Sequence, residues 1–397
     1  MADKNIRSDF PFFKENPSVV WLDSAATAQK PRCVIDALTD FYNKYNSNVA
    51  RGEYPVSDFA TRIYERSRET VAKWFGASAD DVVFTYNATD SLNMAANALK
   101  DRVSRGKNVA VSVLEHNSAL LPWMKICADA GAELRYIPIK KDGSLDFDAG
   151  GMIDENTCAA IVTAGSNVSG YRTPLEFVCD LFAKKNIPLV IDAAQAAPHE
   201  KIDVSKLKFD FMCLSAHKMY GPMGLGVLIT GKNTKVNNIY RLGGGTVVEV
   251  NKSKYTQKSG AAALEAGTPN VAGAYAFSAA LDYLSSLDIE ALWASERRLA
   301  NVLREELASL GAKVAEGGND PLPVVSFVFP FMHPLDMAKV LGTRGFCVRD
   351  GKHCAHVAHE ALGLDTTLRV SLGIYNTEDD IAAFLEKIKY LKGKYGR

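Results

Sequence analysis

The sequence predicts an α/β protein, with a mostly parallel sheet covered by helices on both faces and a smaller α+β domain after it. Three observations carry that expectation. Apolar, strand-like runs alternate with helix-like stretches through the first two thirds of the 397 residues. The turn Gly221-Pro-Met-Gly224-Leu-Gly226 is too short for a crossover helix, so the run Gly226–Thr230 is expected to lie antiparallel. Near Ala272 the pattern changes, and long amphipathic helices lead into a few short strands.

The elements follow in order. Asp81–Thr85 reads as a strand before a helical stretch from Ser91, and Asn108–Val113 as a strand leading to Glu115-His116. Ala159–Ala164 leads to Gly165-Ser166-Asn167, Pro188–Asp192 to Ala-Ala-Gln195, and Asp210–Ser215 to Ala-His217-Lys218. Beyond Ala272, Ala274–Leu287 and Glu290–Leu310 have helical periodicity. Leu322–Phe329, Gly345–Arg349 and Thr367–Leu372 read as strands, and Thr377–Tyr395 as a closing helix. The expected division is an N-terminal segment, 1–20, packing on the small domain; a large domain, 21–271; and a small domain, 272–397.

Composition narrows the function classes. Lys+Arg and Asp+Glu both number 46, so no global field draws the chain to nucleic acid or an anionic membrane. No apolar run reaches transmembrane length, and the first residues lack a signal peptide's hydrophobic region. The seven cysteines are dispersed, odd in number and without CxxC spacing. Neither a disulfide framework nor a structural zinc site is indicated, and a reduced, cytoplasmic compartment is expected.

Chemistry gathers beyond the carboxyl ends of the strands in an open α/β sheet. Asp192 and Lys218 both stand there. A lone acid at such a place often caps a helix, and a lone lysine is usually solvated. Together they make the pair that pyridoxal phosphate needs. The lysine amine forms a Schiff base, and the carboxylate keeps the pyridine nitrogen protonated so that the ring accepts electrons. A phosphate cradle would come from Thr89, which opens a helix in Asn87-Ala88-Thr89-Asp90-Ser91, although an ordinary helix cap explains that segment nearly as well. Ser215 and His217 lie close enough in sequence to help. His116 is placed to face the cofactor and, with an ordinary pKa of ~6.5, to move protons. Asn167 and Gln195 follow two other strand ends and suit a substrate carboxylate and the ring hydroxyl.

In the C-terminal domain, Cys354 sits in a polar loop, Arg349-Asp-Gly-Lys-His353-Cys354-Ala-His356. The histidines and Lys352 around it favour thiolate and make it the best nucleophile of the seven. A metal site from His353, Cys354, His356 and His359 is the competing idea, but those spacings match no usual zinc pattern. Arg369 suits two-pronged capture of a carboxylate, and a structural ion pair is the comparable alternative.

These segments, with Trp21–Pro31 and Leu264-Glu-Ala-Gly-Thr268-Pro-Asn, resemble the group II cysteine desulfurase/selenocysteine lyase family (SufS/CsdA-like) of class V aminotransferases. The resemblance runs almost end to end. It implies the type I fold of pyridoxal-phosphate enzymes, with a seven-stranded sheet. It also implies Lys218 as the Schiff-base residue, Asp192 on the ring nitrogen, Gln195 on the ring hydroxyl and His116 stacked on the ring. Ala88, Thr89, Ser215 and His217 would surround the phosphate, and Thr268 would reach the partner subunit's cofactor in a homodimer. Asn167, Arg349 and Arg369 would hold the carboxylate of L-cysteine, and Cys354 would take the sulfur as a persulfide. A small, SufE-like acceptor protein would then carry sulfur toward iron–sulfur assembly or another thiolation pathway. L-selenocysteine is the alternative substrate, and a class V lyase, epimerase or aminotransferase with an idle Cys354 is the alternative activity.

The chain departs from that pattern at several places. Ala88 stands for the first of two threonines, Ala50-Arg51 for His-Arg, and Ala263 for a frequent basic residue. Asp350 and Lys352 change the approach to Cys354.

Overall fold

The computed structural model describes residues 6–50, 52–232, 234, 236 and 238–396. Residues 1–5 of the N-terminal segment and Arg51 lie outside the described residues.

Seven strands form the large sheet: β1 (Val82–Thr85), β2 (Asn108–Ser112), β3 (Glu133–Ile137), β4 (Thr157–Thr163), β5 (Leu189–Asp192), β6 (Phe211–Ser215) and β7 (Gly226–Thr230). Their spatial order is β1-β7-β6-β5-β4-β2-β3. Every neighbouring pair is parallel except the two that involve β7, which runs antiparallel to both β1 and β6. The short turn before Gly226 has the consequence read from it. Strands β2, β5 and β6 are buried at every residue, which is why their sequences are continuous apolar runs.

One strand of this large sheet was not expected from the sequence. β3 lies at the sheet edge, and its Glu-Leu-Arg-Tyr-Ile is half-exposed and charged, the composition by which edge strands discourage unwanted pairing.

Helices pack on the sheet from points just past the strand ends, among them α1 (Ala88–Leu99) after β1 and α2 (Asn117–Ala130) after β2. The expected helices near 274–287, 290–310 and 377–395 are α3 (Val271–Ser285), α4 (Ile289–Ser309) and α5 (Glu378–Tyr395). Thr377 caps α5 in a reciprocal box with Asp380.

A second sheet has the order β8 (Lys313–Val314), β9 (Val324–Val328), β11 (Thr367–Ser371), β10 (Arg349–Gly351), antiparallel throughout. The single strand expected over Gly345–Arg349 is instead divided. Phe346–Cys347 pairs in parallel with Val20–Trp21, and the chain then changes partner so that Arg349 lies directly opposite Arg369. Among the described residues no helix is long and apolar enough to cross a membrane.

Candidate active site

Because β2, β4, β5 and β6 run parallel, Ser112, Thr163, Asp192 and Ser215 all end their strands on one edge. A cavity of about 270 Å³ opens there. Lys218, Asp192, Gln195, His116, Ala88, Thr89, Ser215, His217, Asn167, Arg349 and Arg369 all line it. Cys354 and Thr268 are not part of the lining.

Asp192 is buried at the end of β5, where its Oδ1 accepts from the Ala194 N–H at 3.0 Å. Burial raises its pKa, and the neighbouring Lys218 opposes that rise. Lys218 closes a short helical turn after β6. Its burial lowers the amine to about 8, with Arg369 and Arg349 adding to the effect and Asp192 resisting it. The pair therefore shares one low-dielectric pocket, and Lys218 loses its proton far more readily than an exposed lysine does.

At one end of the cavity α1 begins. Asn87, not Thr89, is its cap, accepting from the Asp90 N–H at 2.9 Å. Thr89 is thereby left to share a hydrogen bond with Ser118 Oγ at 2.7 Å. The Ala88 N–H donates to Ser215 Oγ at 2.8 Å. Only glycine allows this helix start to sit so close to β7, since a Cβ on Gly226 would fall 2.4 Å from the Asn87 carbonyl carbon. Such a start favours an anion. His217 adds an unpartnered, buried Nδ1, and both amide atoms of Gln195 are buried without a partner among the described residues. Buried polar atoms are rarely left so, and this set asks for a ligand with one anionic end and a polar, aromatic-sized body.

His116 caps α2, its Nδ1 accepting from the Ser118 N–H at 3.1 Å. Burial and then Lys218, Arg349 and Arg369 push its pKa down to about 3. The expected near-neutral titration is thus corrected: the ring is uncharged, with its proton on Nε2. Beside it, Glu115 is fully buried and accepts from Ser112 Oγ and the Thr163 N–H, each at 2.5 Å. Its pKa rises to about 8 because it is buried. Sequence reasoning gave Glu115 no role.

At the opposite end, Arg369 donates to Asp23 Oδ1 at 2.8 Å and to the Asn167 carbonyl at 3.1 Å. The structural ion pair weighed above is therefore present, yet Arg369 Nε remains buried and unpartnered. Arg349 faces it across the β10–β11 pair. Two guanidinium groups in register repel, and an anion between them relieves the repulsion. Asn167, on the cavity wall, donates one amide N–H to the His353 carbonyl at 2.8 Å and so anchors the cysteine turn.

His353 and Cys354 both adopt left-handed backbone angles, with φ of 49° and 54°. Such strain in side-chain-bearing residues persists where the surroundings hold it. Cys354 is the exposed cysteine of the seven. The charge beside it differs from the expected one. His353 is neutral, its pKa pushed down to about 2 by burial and by Arg369, and Lys352 pairs with Asp365 at 3.2 Å. Arg349 instead donates to Cys354 Sγ at 3.6 Å. Among the described residues no three histidine, cysteine or acidic side chains gather to hold a metal. Thr268 is exposed, in a segment tethered by Glu265, which accepts from Arg68, Tyr64 and the Phe84 N–H.

The family model for aminotransferase class-V matches residues 20–384. The chain belongs to the class V aminotransferase family. Within it, the likeness is to cysteine desulfurases. A cysteine desulfurase of Cronobacter sakazakii is 35% identical, over 95% of each chain. The apo structure of a cysteine desulfurase from Thermococcus onnurineus superposes with a TM-score of 0.93 at 32% identity, covering 98% of this chain and 99% of that one. The cysteine desulfurase CsdA from Escherichia coli gives 0.92 at 32% identity, over 100% of both. The α/β architecture with its large central sheet is accordingly the type I fold that the resemblance implied.

Proposed function

We propose that this class V enzyme acts as a pyridoxal-phosphate-dependent cysteine desulfurase, converting L-cysteine to L-alanine while sulfur moves to Cys354. The observation that supports it most is the cavity itself: a half-buried amine, Lys218, and a buried acid, Asp192, share it with Gln195, whose amide atoms have no partner among the described residues. The residues present fit the cofactor. Lys218 Nζ would hold its aldehyde carbon, Asp192 its ring nitrogen, Gln195 its ring hydroxyl, and His116 would lie against the ring. Ala88 and Thr89 at the start of α1, with Ser215 and His217, would surround its phosphate. When bound, pyridoxal phosphate supplies an electron sink for charge developing at the substrate Cα.

The chain's own groups do the rest. Arg349 and Arg369 bind the substrate carboxylate, and Asn167 steadies Arg369 through its carbonyl. Lys218 Nζ would be the base that takes the Cα proton. Cys354 Sγ attacks the substrate sulfur, so that an S–S bond forms as the C–S bond breaks. The thiol becomes a persulfide, the electron pair of the broken bond stays with the substrate's Cβ, and protonation there lets the carbon skeleton leave as alanine. Arg349 beside Cys354 Sγ favours the thiolate that attacks.

A homodimer belongs to the same proposal, with Thr268 serving the partner subunit's cofactor; its exposed position outside its own cavity supports this. So does a small, SufE-like protein that removes the sulfur, for which the exposure of Cys354 is the supporting observation. L-Selenocysteine is the second substrate to assay. The decisive experiment incubates purified protein with L-cysteine and a reductant and measures sulfide and alanine together. Equal yields of the two support the reading; sulfide with pyruvate in place of alanine, or no sulfide at all, sinks it.

A further inference from the structure

Thr367 is fully buried on β11, two positions before Arg369, and it does not line the cavity. Its hydroxyl lies 2.8 Å from His353 Nε2 and 3.1 Å from His359 Nε2. The protons in this trio can be assigned. His359 Nδ1 is 3.0 Å from the Ala355 carbonyl, which only accepts, so Nδ1 carries the ring proton. Burial lowers the pKa of His359; the ring is neutral and its Nε2 is bare. That nitrogen takes the hydroxyl proton of Thr367. The hydroxyl oxygen then accepts from His353, whose proton must sit on Nε2.

His353 is neutral as well, so its Nδ1 is bare. That nitrogen is buried, has no partner among the described residues, and belongs to a ring on the cavity wall. A bare imidazole nitrogen can only accept, so the chain of three residues creates an unmet demand for a donor at this wall. L-Cysteine brings three polar groups. Its carboxylate has no proton to offer and is claimed by the arginines, and its amine is claimed by the cofactor. The thiol remains.

We propose that Thr367 and His359 hold His353 in a single tautomer, so that His353 Nδ1 accepts a hydrogen bond from the substrate thiol; this rests on the desulfurase reading. Thr367 is a positioning residue, acting through His353. The proton itself stays on sulfur, because a ring with so low a pKa cannot hold it against a thiol, whose ordinary value is about 8.5. The contact orients the substrate sulfur beside the next residue in the chain, Cys354, whose turn the same histidine anchors through its carbonyl bond to Asn167.

The test uses the holoenzyme carrying Thr367→Val, which keeps the shape and loses the hydroxyl, and Thr367→Ser, which restores it. Both are made in a Cys354→Ala background that stops turnover. Dissociation constants for L-cysteine and for L-alanine, which lacks the thiol, are read from the cofactor's visible spectrum. Thr367→Val is expected to weaken L-cysteine about five- to tenfold, the worth of one net hydrogen bond, and to leave L-alanine within about twofold. Thr367→Ser should recover wild-type affinity. Independently, ¹⁵N spectra of histidine-labelled protein should show a bare Nδ1 on His353 that loses its single tautomer in Thr367→Val. Equal weakening of both amino acids, weakening of neither, or a protonated Nδ1 in the wild type overturns the proposal. A wild-type enzyme that yields no sulfide from L-cysteine would overturn the desulfurase reading instead, and with it the thiol as donor; the ¹⁵N result would still report the tautomer.

Discussion

Arg369 Nη2 donates to Asp23 Oδ1 at 2.8 Å, joining two residues 346 positions apart in the chain. The Asp23 backbone also bridges to Ser371 on the same strand. One side of the guanidinium is thus pinned, and the rest of its fork is aimed by that pin. Asp23→Ala should loosen the aim without touching the reacting atoms. The expected result is a KM for L-cysteine raised about tenfold with kcat within about threefold, the pattern of lost substrate binding. An unchanged KM in steady-state kinetics would show that Arg369 is held, or the carboxylate bound, by other means.

Lys218→Ala tests the covalent hold on the cofactor. The purified variant should lack the visible band of lysine-bound pyridoxal phosphate, and desulfurase activity should fall to background. A retained band that borohydride still bleaches would mean that another lysine holds the cofactor.

Cys354→Ala separates sulfur transfer from substrate binding. L-Cysteine should still alter the visible spectrum, while sulfide and alanine output drop to near background. Turnover of L-selenocysteine should survive in part, because selenium leaves more readily than sulfur. Alanine released from L-cysteine at the wild-type rate would remove Cys354 from the mechanism.

Glu115 makes stability depend on pH in a definite sense. Its folded pKa, raised from 4.5 to about 8, means that the folded chain binds the proton more tightly than the unfolded one. The associated stability is fully present below pH 4.5 and is lost as pH rises through about 8. Glu115→Gln keeps a neutral acceptor for Ser112 and Thr163 and cannot titrate. In paired thermal melts, the Tm of wild type minus that of the variant should fall by roughly several degrees between pH 5 and 9. A constant difference would show that Glu115 is ionised throughout.

Much of this arrangement was legible in the sequence, for a local reason. Asp192, Ser215 and Lys218 each end or follow an apolar run, and a parallel sheet brings such ends to one edge wherever its strands are placed. The antiparallel course of Gly226–Thr230 followed from the length of one turn. What could not be read depends on pairing between distant segments. Asp23 and Thr367 become significant only when their strands meet Arg369 and His353. The neutral state of His116 and His353 reflects burial and facing arginines, neither visible along the chain. Edge strand Glu133–Ile137 was hidden by the charges that suit it to the edge. Asn87 took the cap of the helix that Thr89 opens, and only the backbone decided it.

The turn that carries Cys354 is tied at successive residues. Asn167 holds the His353 carbonyl, the Asn117 N–H holds the Cys354 carbonyl at 2.7 Å, and the Ala355 N–H returns to Lys352 at 2.8 Å. A backbone moored in this way leaves the sulfur one bond to turn about, checked only by the contact from Arg349. Any sulfur carried there would move by the sweep of a short pendulum, not the reach of a tether. In the desulfurase reading, delivery would then be a matter of docking: an acceptor would have to bring its own reactive group to the doorstep of this enzyme.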